Sequence, residues 1–469
     1  MDVIKTSLII GIAVTFYYLL LQWPTDAKTY QETSNFDSEI NTFNESDRLL
    51  SEPLTTFSEP SNVKESSPTT VGEMFVIEND DLLLNVDAKT GRFVYSELKN
   101  ISKEKDQNLP FQILGKTIKE DRLVENLYFA NSGFYTQSQG YLDPQFSDMR
   151  IEKREGSSTT YYLEGSSGGL NFQRKIQFAS SGYRVDVEDT IISGLGEKIT
   201  VTPYVVIERD DSTLDSSGWL YTYLGPVFSS TKDNYEKYDF GDIRDSSYQN
   251  KSLGGWVALI QHYFLSAWVP DQSEEYLYQA RYGDRSDRYS LGYTSKDNVI
   301  SYGESITTKN TLFVGPKLPD QLKDVQENLD LTVDYGFLFF LGKPMYWLLE
   351  LGNKIFNNWG LAIIFLTVVL KIATWPLSAK AYVSMGKMRE LQPKMQQLQE
   401  KHGDNRQAMS QELMQLYQKE GVNPLGGCLP MLLQMPFFLA FYWVLIETVE
   451  LRHSPFFLWI DDLSAMDPY

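Results

Sequence analysis

Lys371 lies inside an apolar run, Trp359 through Leu377, that is long enough to cross a bilayer as a helix. A charged group at that depth costs several kcal/mol unless it faces protein or water. The chemistry open to such a cation is electrostatic: it draws acidic or polar groups by Coulomb attraction at low effective dielectric. Thr367 precedes it by four residues and so shares its helical face. Each residue also has a plainer reading. Lys371 stands about six residues, or roughly 9 Å, from the basic end of the run and could snorkel part of that distance. Thr367 could bond a carbonyl of its own helix.

Other chemistries find little support. No phosphate-binding glycine loop and no Ser/His/Asp set is evident. His262, His402 and His453 are scattered without metal-ligand spacing, and the single Cys428 allows no intrachain disulfide. No catalytic residue, cofactor or metal is expected. The chain has 469 residues and a formal net charge of −20, which disfavours direct nucleic-acid binding. That acidity lies mostly between Thr25 and Asp334. The segment Ala379–Glu420 is instead basic, with Lys380, Lys387, Arg389, Lys394, Lys401, Arg406 and Lys419. Within it Met385, Met388, Leu391, Met395 and Leu398 recur at three- and four-residue spacing. Met409, Leu413 and Leu416 do so again after the break at His402-Gly403-Asp404. Two amphipathic helices joined by a turn are expected. Their methionines either pack the two helices together or form an adaptable surface for apolar partners.

The elements that must position these residues follow from composition. Residues 1–23 read as an N-terminal membrane anchor. A cleaved signal peptide is the alternative, but bulky Leu21, Gln22 and Trp23 at the exit argue against it. Residues 24–70 are rich in Ser, Thr, Glu and Asn and read as a tether. From 71 to 316, period-two alternation such as Leu170, Phe172, Ile176 and Phe178 predicts a large antiparallel β domain of two packed sheets. Residues 317–357 hold a short polar helix and an amphipathic helix suited to the membrane interface. A second span covers 358–377, the basic helical hairpin 378–422 and a third span 423–450, in which Pro430 and Pro436 are tolerable. Residues 451–469 end the chain in a second interfacial segment. The basic loop places 378–422 in the cytoplasm and the β domain outside.

Several segments together resemble the YidC membrane protein insertase family in its Gram-negative form. They are Gly255 to Phe264, Leu329 to Gly336, Asn358-Trp359-Gly360, Pro376-Leu377, Met388 to Lys394, Val422 to Cys428, Gln434-Met435-Pro436 and Val449 to Arg452. The resemblance implies a multi-domain membrane protein of the bacterial inner membrane. Its fold would join a periplasmic antiparallel β-supersandwich to a helical transmembrane region with a cytoplasmic hairpin. It implies a non-enzymatic insertase and chaperone with a polar groove open to the cytoplasm and to lipid. Lys371 and Thr367 match groove positions, and Met435 and Phe438 match an apolar surface along which substrates slide. The partners implied are nascent membrane proteins, the Sec translocon, the lipid bilayer, and the ribosome or signal-recognition machinery at the hairpin.

Two departures stand out. Gram-negative members of the family usually carry Arg where this chain has Lys371, so the charge is kept and the bidentate fork is lost. The family also continues through three more spans, so the chain reads as a truncated gene or a fragment. Two rival classes remain at this stage. A membrane-anchored carbohydrate-binding or carbohydrate-active protein is permitted by a sandwich fold resembling sugar mutarotases, and needs two carboxylates across a cleft if it hydrolyses glycosides. A transporter would want more spans and broken inverted repeats.

Overall fold

The computed structural model describes residues 74–465 except 105–106, 116–127, 155–157, 211–221, 284–287, 404–405 and 422–428. The expected anchor at 1–23 and tether at 24–70 lie outside the described residues.

Alternation builds the β domain. Strand Leu170–Ala179 buries every second residue, and Arg184–Ser193 beside it does the same. Short polar turns punctuate the strands. At the first hairpin, Met74–Glu78 with Leu82–Asp87, the Asn79 side chain accepts from the amides of Asp81 (3.0 Å) and Leu82 (2.7 Å). Two antiparallel sheets result. One runs through Met74–Glu78, Leu82–Asp87, Phe93–Glu104, Tyr128–Thr136, Ile199–Asp210, Arg288–Thr294, Glu275–Gly283 and Tyr248–Leu253. The other runs from Glu236–Lys237 and Gly225–Ser229 through Trp256–Ile260, Phe264–Pro270, Ser305–Pro316, Arg184–Ser193, Leu170–Ala179 and Ser158–Ser167 to Phe146–Arg154.

Their inner faces meet. Phe93 of the first sheet packs edge-on against Trp268 of the second at 6.2 Å, and Tyr128 hydrogen-bonds Ser266 across the core. Trp256–Ile260 and Phe264–Pro270 are buried at every position, so they read as unbroken apolar runs rather than alternating ones.

The helices follow. A short helix, Pro319–Val325, and a 3-10 turn, Leu329–Thr332, leave the last strand. Four longer helices come next: α1 (Phe339–Phe356), α2 (Trp359–His402), α3 (Arg406–Glu420) and α4 (Leu429–Glu447). The amphipathic helix expected within 317–357 is α1. Gly342, Lys343, Pro344 and Glu350 do not break it; Gly342, Met345, Leu349 and Gly352 form its buried face. Its other side exposes Phe340, Trp347 and Ile355.

The second expected span and the first hairpin helix are one continuous rod. The 44 residues of α2 reach roughly 66 Å, with Pro376 and Pro393 inside the helix, and no break marks position 377. It ends at His402 before Gly403. Lys394–Glu420 (2.6 Å) and Lys401–Glu412 (3.4 Å) then tie α2 to α3. Among the described residues one helical stretch, Trp359–Pro376, is long and apolar enough to cross a membrane, and α4 contributes a shorter apolar stretch, Gln434–Glu447. The terminal segment around Pro455 forms turns rather than a helix.

One hydrophobic core runs from the sheets into the helices. It includes Trp256, Trp268 and Phe313 of the β domain, Leu329 and Val333 of the connection, Leu349 of α1, Leu366 of α2, and Ala440 and Val444 of α4.

Candidate functional site

The start of α2 is fixed by local chemistry. Asn358 caps it, accepting from the Leu361 amide at 3.0 Å, and its side-chain amide donates to the carbonyls of Pro455 and Phe456. Gly360 lets Phe456 sit on the helix, since a Cβ there would lie 2.2 Å from the ring. Gly352 of α1 likewise admits Ala362 and Phe365 of α2, so the two helices pack closely.

Three turns along, Lys371 projects from an exposed face of α2. No carboxylate pairs with it among the described residues. Its Nζ lies 5.6 Å from the ring centroid of Phe438 on α4, within the range of a cation–π contact. Thr367 is exposed one turn earlier and donates to the Ile363 carbonyl at 2.8 Å, the plainer of its two readings. Met435 and Phe438 stand one turn apart on α4, 42% and 57% exposed. The structure therefore brings Lys371 and Phe438 together. It sets Met435 beside Phe438 and turns the Thr367 hydroxyl back on its own helix.

Sequence reasoning missed two groups nearby. The first is a polar seam between α2 and α4. Gln434 Nε2 reaches Thr374 Oγ1 at 3.4 Å and Ser378 Oγ at 3.3 Å. A glutamine in an otherwise apolar stretch was the available signal. The second lies at the far end of α4. There Glu447 forms a buried ion pair with Lys317, and Ile446 offers its carbonyl to His262 at 3.1 Å. Nothing in the spacing of residues 317 and 447 announces that pairing. Burial and the neighbouring Lys317 push the His262 imidazole down to about 4, so it is neutral at ordinary pH and Nε2 carries the proton donated to Ile446.

What this arrangement offers is a contact surface, with a cation, a polar seam and an exposed apolar edge on two adjacent apolar helices. Among the described residues no group of His, Cys, Asp and Glu could hold a metal ion.

Comparison with known proteins fits these features. Residues 75–348 match the model of the YidC periplasmic domain, and residues 351–469 match that of the 60Kd inner membrane protein family. A membrane protein insertase YidC from Haemophilus influenzae is 38% identical over 481 residues, covering 100% of this chain and 85% of the relative. One from Azotobacter vinelandii is 36% identical, covering 100% and 86%. Among solved structures, a galactose mutarotase related enzyme from Lactobacillus acidophilus aligns at a TM-score of 0.34 and 8% identity, covering 52% of this chain and 97% of that one. So distant a likeness carries no argument about carbohydrate chemistry. The helical site and the β domain are matched together along the whole chain, and the chain belongs to the YidC family of membrane protein insertases, inner-membrane proteins with a periplasmic domain and no enzymatic activity.

Proposed function

We propose that insertion runs over the surface shared by α2 and α4. Lys371 draws an acidic or polar translocated tail part way into the membrane, and the substrate's apolar helix leaves along Met435 and Phe438 into lipid. The barrier to insertion is dehydration of the polar tail. A half-depth cation in a wet groove lowers it without a sealed pore and without nucleotide. Thr367 lines the same face, its hydroxyl shared between its own helix and a passing group. The observation that carries this reading is Lys371 itself, exposed, next to an aromatic ring and without a carboxylate partner among the described residues. A cation kept in that state suits a transient partner.

The finer organisation goes with it. Residues 1–23 anchor the chain and 24–70 tether a periplasmic β-supersandwich at 71–316. Residues 317–357 end in α1, whose Phe340, Trp347 and Ile355 lie in the interface. Residues 358–377 and 423–450 span, 451–469 return to the periplasmic interface, and 378–422 form a cytoplasmic hairpin. The substrates are nascent membrane proteins. The hairpin receives them from the ribosome or signal-recognition machinery, and the Sec translocon is a neighbour in the bilayer.

A photo-crosslinker placed at position 371 tests this in inner-membrane vesicles. It should capture a single-span substrate with an acidic tail during insertion, while one at Thr307 on the β domain should not. Insertion that proceeds with no capture at either 371 or 438 would overturn the reading. Reporter fusions that put Glu400 outside would overturn the orientation.

A further inference from the structure

The periplasmic end of α4 is held from the β domain by several polar contacts, one of them a buried ion pair. Lys317 follows directly on strand Ser305–Pro316, and its side chain is 2% exposed; Glu447, the last residue of α4, is 3% exposed. Their charged groups are in hydrogen-bond contact, and the Lys317 amide also donates to the Tyr263 carbonyl at 2.9 Å. His262 donates to the carbonyl of Ile446, one residue earlier. Just past the helix, Arg452 donates to the carbonyls of Ser102 (2.7 Å) and Lys103 (2.6 Å), with its guanidinium over the rings of Phe111 and Phe264. Three parts of the β domain thus hold one helix end: the end of strand Phe93–Glu104, the turn at His262, and Lys317 where the last strand ends.

The grip has an angular consequence. At about 100° per residue, the nine-residue step from Phe438 to Glu447 places them half a revolution apart on α4. Ala440, Val444 and Glu447 form the buried side, while Met435, Phe438 and Tyr442 are exposed. Holding Glu447 inward therefore holds Phe438 outward. The separation along the axis is about 13 Å, short enough for a rigid helix to carry the setting. Apolar packing around Val444 would tolerate small rotations. A buried ion pair, which is strongly destabilised when its partners separate, does not.

We propose that Lys317 and Glu447, supported by His262 and Arg452, are positioning residues for insertion. They form a clamp through which the β domain sets the rotation of α4, and so the direction that Met435 and Phe438 face. This rests on the reading that α4 presents the substrate surface, but the rotation can be measured without it.

The test compares three proteins, each with Cys428→Ser and with Thr374→Cys and Gln434→Cys to report the contact between α2 and α4. They are the otherwise unchanged chain, Lys317→Met with Glu447→Leu, and the exchanged pair Lys317→Glu with Glu447→Lys. In membranes, a short bifunctional thiol reagent should link 374 to 434 efficiently in the first. The apolar pair keeps the junction filled, so the protein should accumulate; its cross-linking should nevertheless fall several-fold. The exchanged pair should recover most of the cross-link. In matching proteins without the reporter cysteines, insertion should follow the same order. Unchanged cross-linking in the apolar pair would show that the ion pair merely fills space and would overturn the clamp. Should the apolar pair fail to accumulate, the exchanged pair decides: accumulation with cross-linking still lost also overturns it. Altered cross-linking with normal insertion would leave the clamp standing and remove α4 from the substrate path.

Discussion

Two cations show how differently the two halves of this molecule use charge. Arg174 is buried in the β domain. Its Nε meets Asp189 at 2.6 Å, and its other nitrogens reach the carbonyls of Gly91 and Ser132. Lys371 stands on α2 among exposed Val368, Ile372 and Trp375, with the Phe438 ring as its neighbour. The β domain encloses most of its large apolar side chains and commits Arg174 and Asp189 to a closed network. The helical region turns apolar side chains outward and, among the described residues, leaves the Lys371 charge without a carboxylate partner. A committed cation specifies a fold, and an uncommitted one can serve a passing group.

The largest expected effect breaks the committed side. Arg174→Leu strands the Asp189 carboxylate in the core, where an unpaired charge costs about 3–5 kcal/mol. Thermal unfolding of the whole protein in detergent, followed by tryptophan fluorescence, should show a marked drop. Arg174→Met with Asp189→Leu should recover most of it. Insertion per folded molecule should stay unchanged in both, since neither residue lies near α2 or α4. Normal stability of Arg174→Leu would mean that the network is ornamental and the contrast false.

The second prediction breaks the other side. At an effective dielectric near 20 and about 6 Å, one charge pair is worth roughly 3 kcal/mol, or about a hundredfold in rate. Lys371→Ala should therefore slow insertion of substrates with acidic tails by ~10- to 100-fold, with melting behaviour unchanged. Lys371→Arg should insert normally, since attraction needs the charge and not its geometry. A neutral-tailed substrate should barely notice either change. If Lys371→Ala inserts acidic tails at the normal rate with normal expression, the groove-cation mechanism fails for this protein.

The third sharpens the comparison at the boundary between the halves. His262 sits at about 4 when folded against 6.5 when free, facing the Lys317–Glu447 pair. The unfolded chain therefore takes up the proton first on acidification. The stabilisation is complete above about 6.5 and is lost as pH falls toward 4. By pH 5 the loss is about 2 kcal/mol. Replacing His262 with Gln, which keeps an N–H donor and cannot titrate there, should flatten that part of the stability–pH curve. Equal slopes for the two proteins between pH 7 and 5 would show that this imidazole does not govern the junction.

Much of the contrast was legible in the chain. Alternation in segments such as Leu170–Ala179 announced the sheets, because a half-buried strand must alternate. Lys371 stood out because nothing else between Trp359 and Trp375 is charged. The ends of α2 were harder. Pro376 reads as a stop, yet a proline costs a long helix only one backbone bond and a local clash, and α2 continues to His402. The junction was not legible at all. Lys317 and Glu447 are 130 residues apart, and a lysine after a strand or a glutamate after an apolar run is ordinarily a solvated end. Only the folded chain shows that each buries the other. The finding also bears on any deletion within residues 71 to about 300. His262 and the carbonyls held by Arg452 lie within that segment, so a deletion should stop short of removing its junction side.

The smallest effect concerns the polar seam, which lies between the two extremes. Gln434 is neither enclosed like Arg174 nor solitary like Lys371. Its contacts to Thr374 and Ser378 are long, 3.4 and 3.3 Å, and Thr374 already donates to the Leu370 carbonyl at 2.9 Å. Side-chain hydrogen bonds between membrane helices average about 0.6 kcal/mol, because the separated helices find other partners. Gln434→Leu preserves volume and removes only that term. Melting should shift little, and insertion of acidic tails should slow by roughly two- to threefold, the rate equivalent of 0.6 kcal/mol. Rates measured beside Lys371→Ala under the same conditions rank the two directly. Were Gln434→Leu as damaging as Lys371→Ala, the working surface would be the hydrogen-bonding seam, and the uncommitted charge would be a bystander to it.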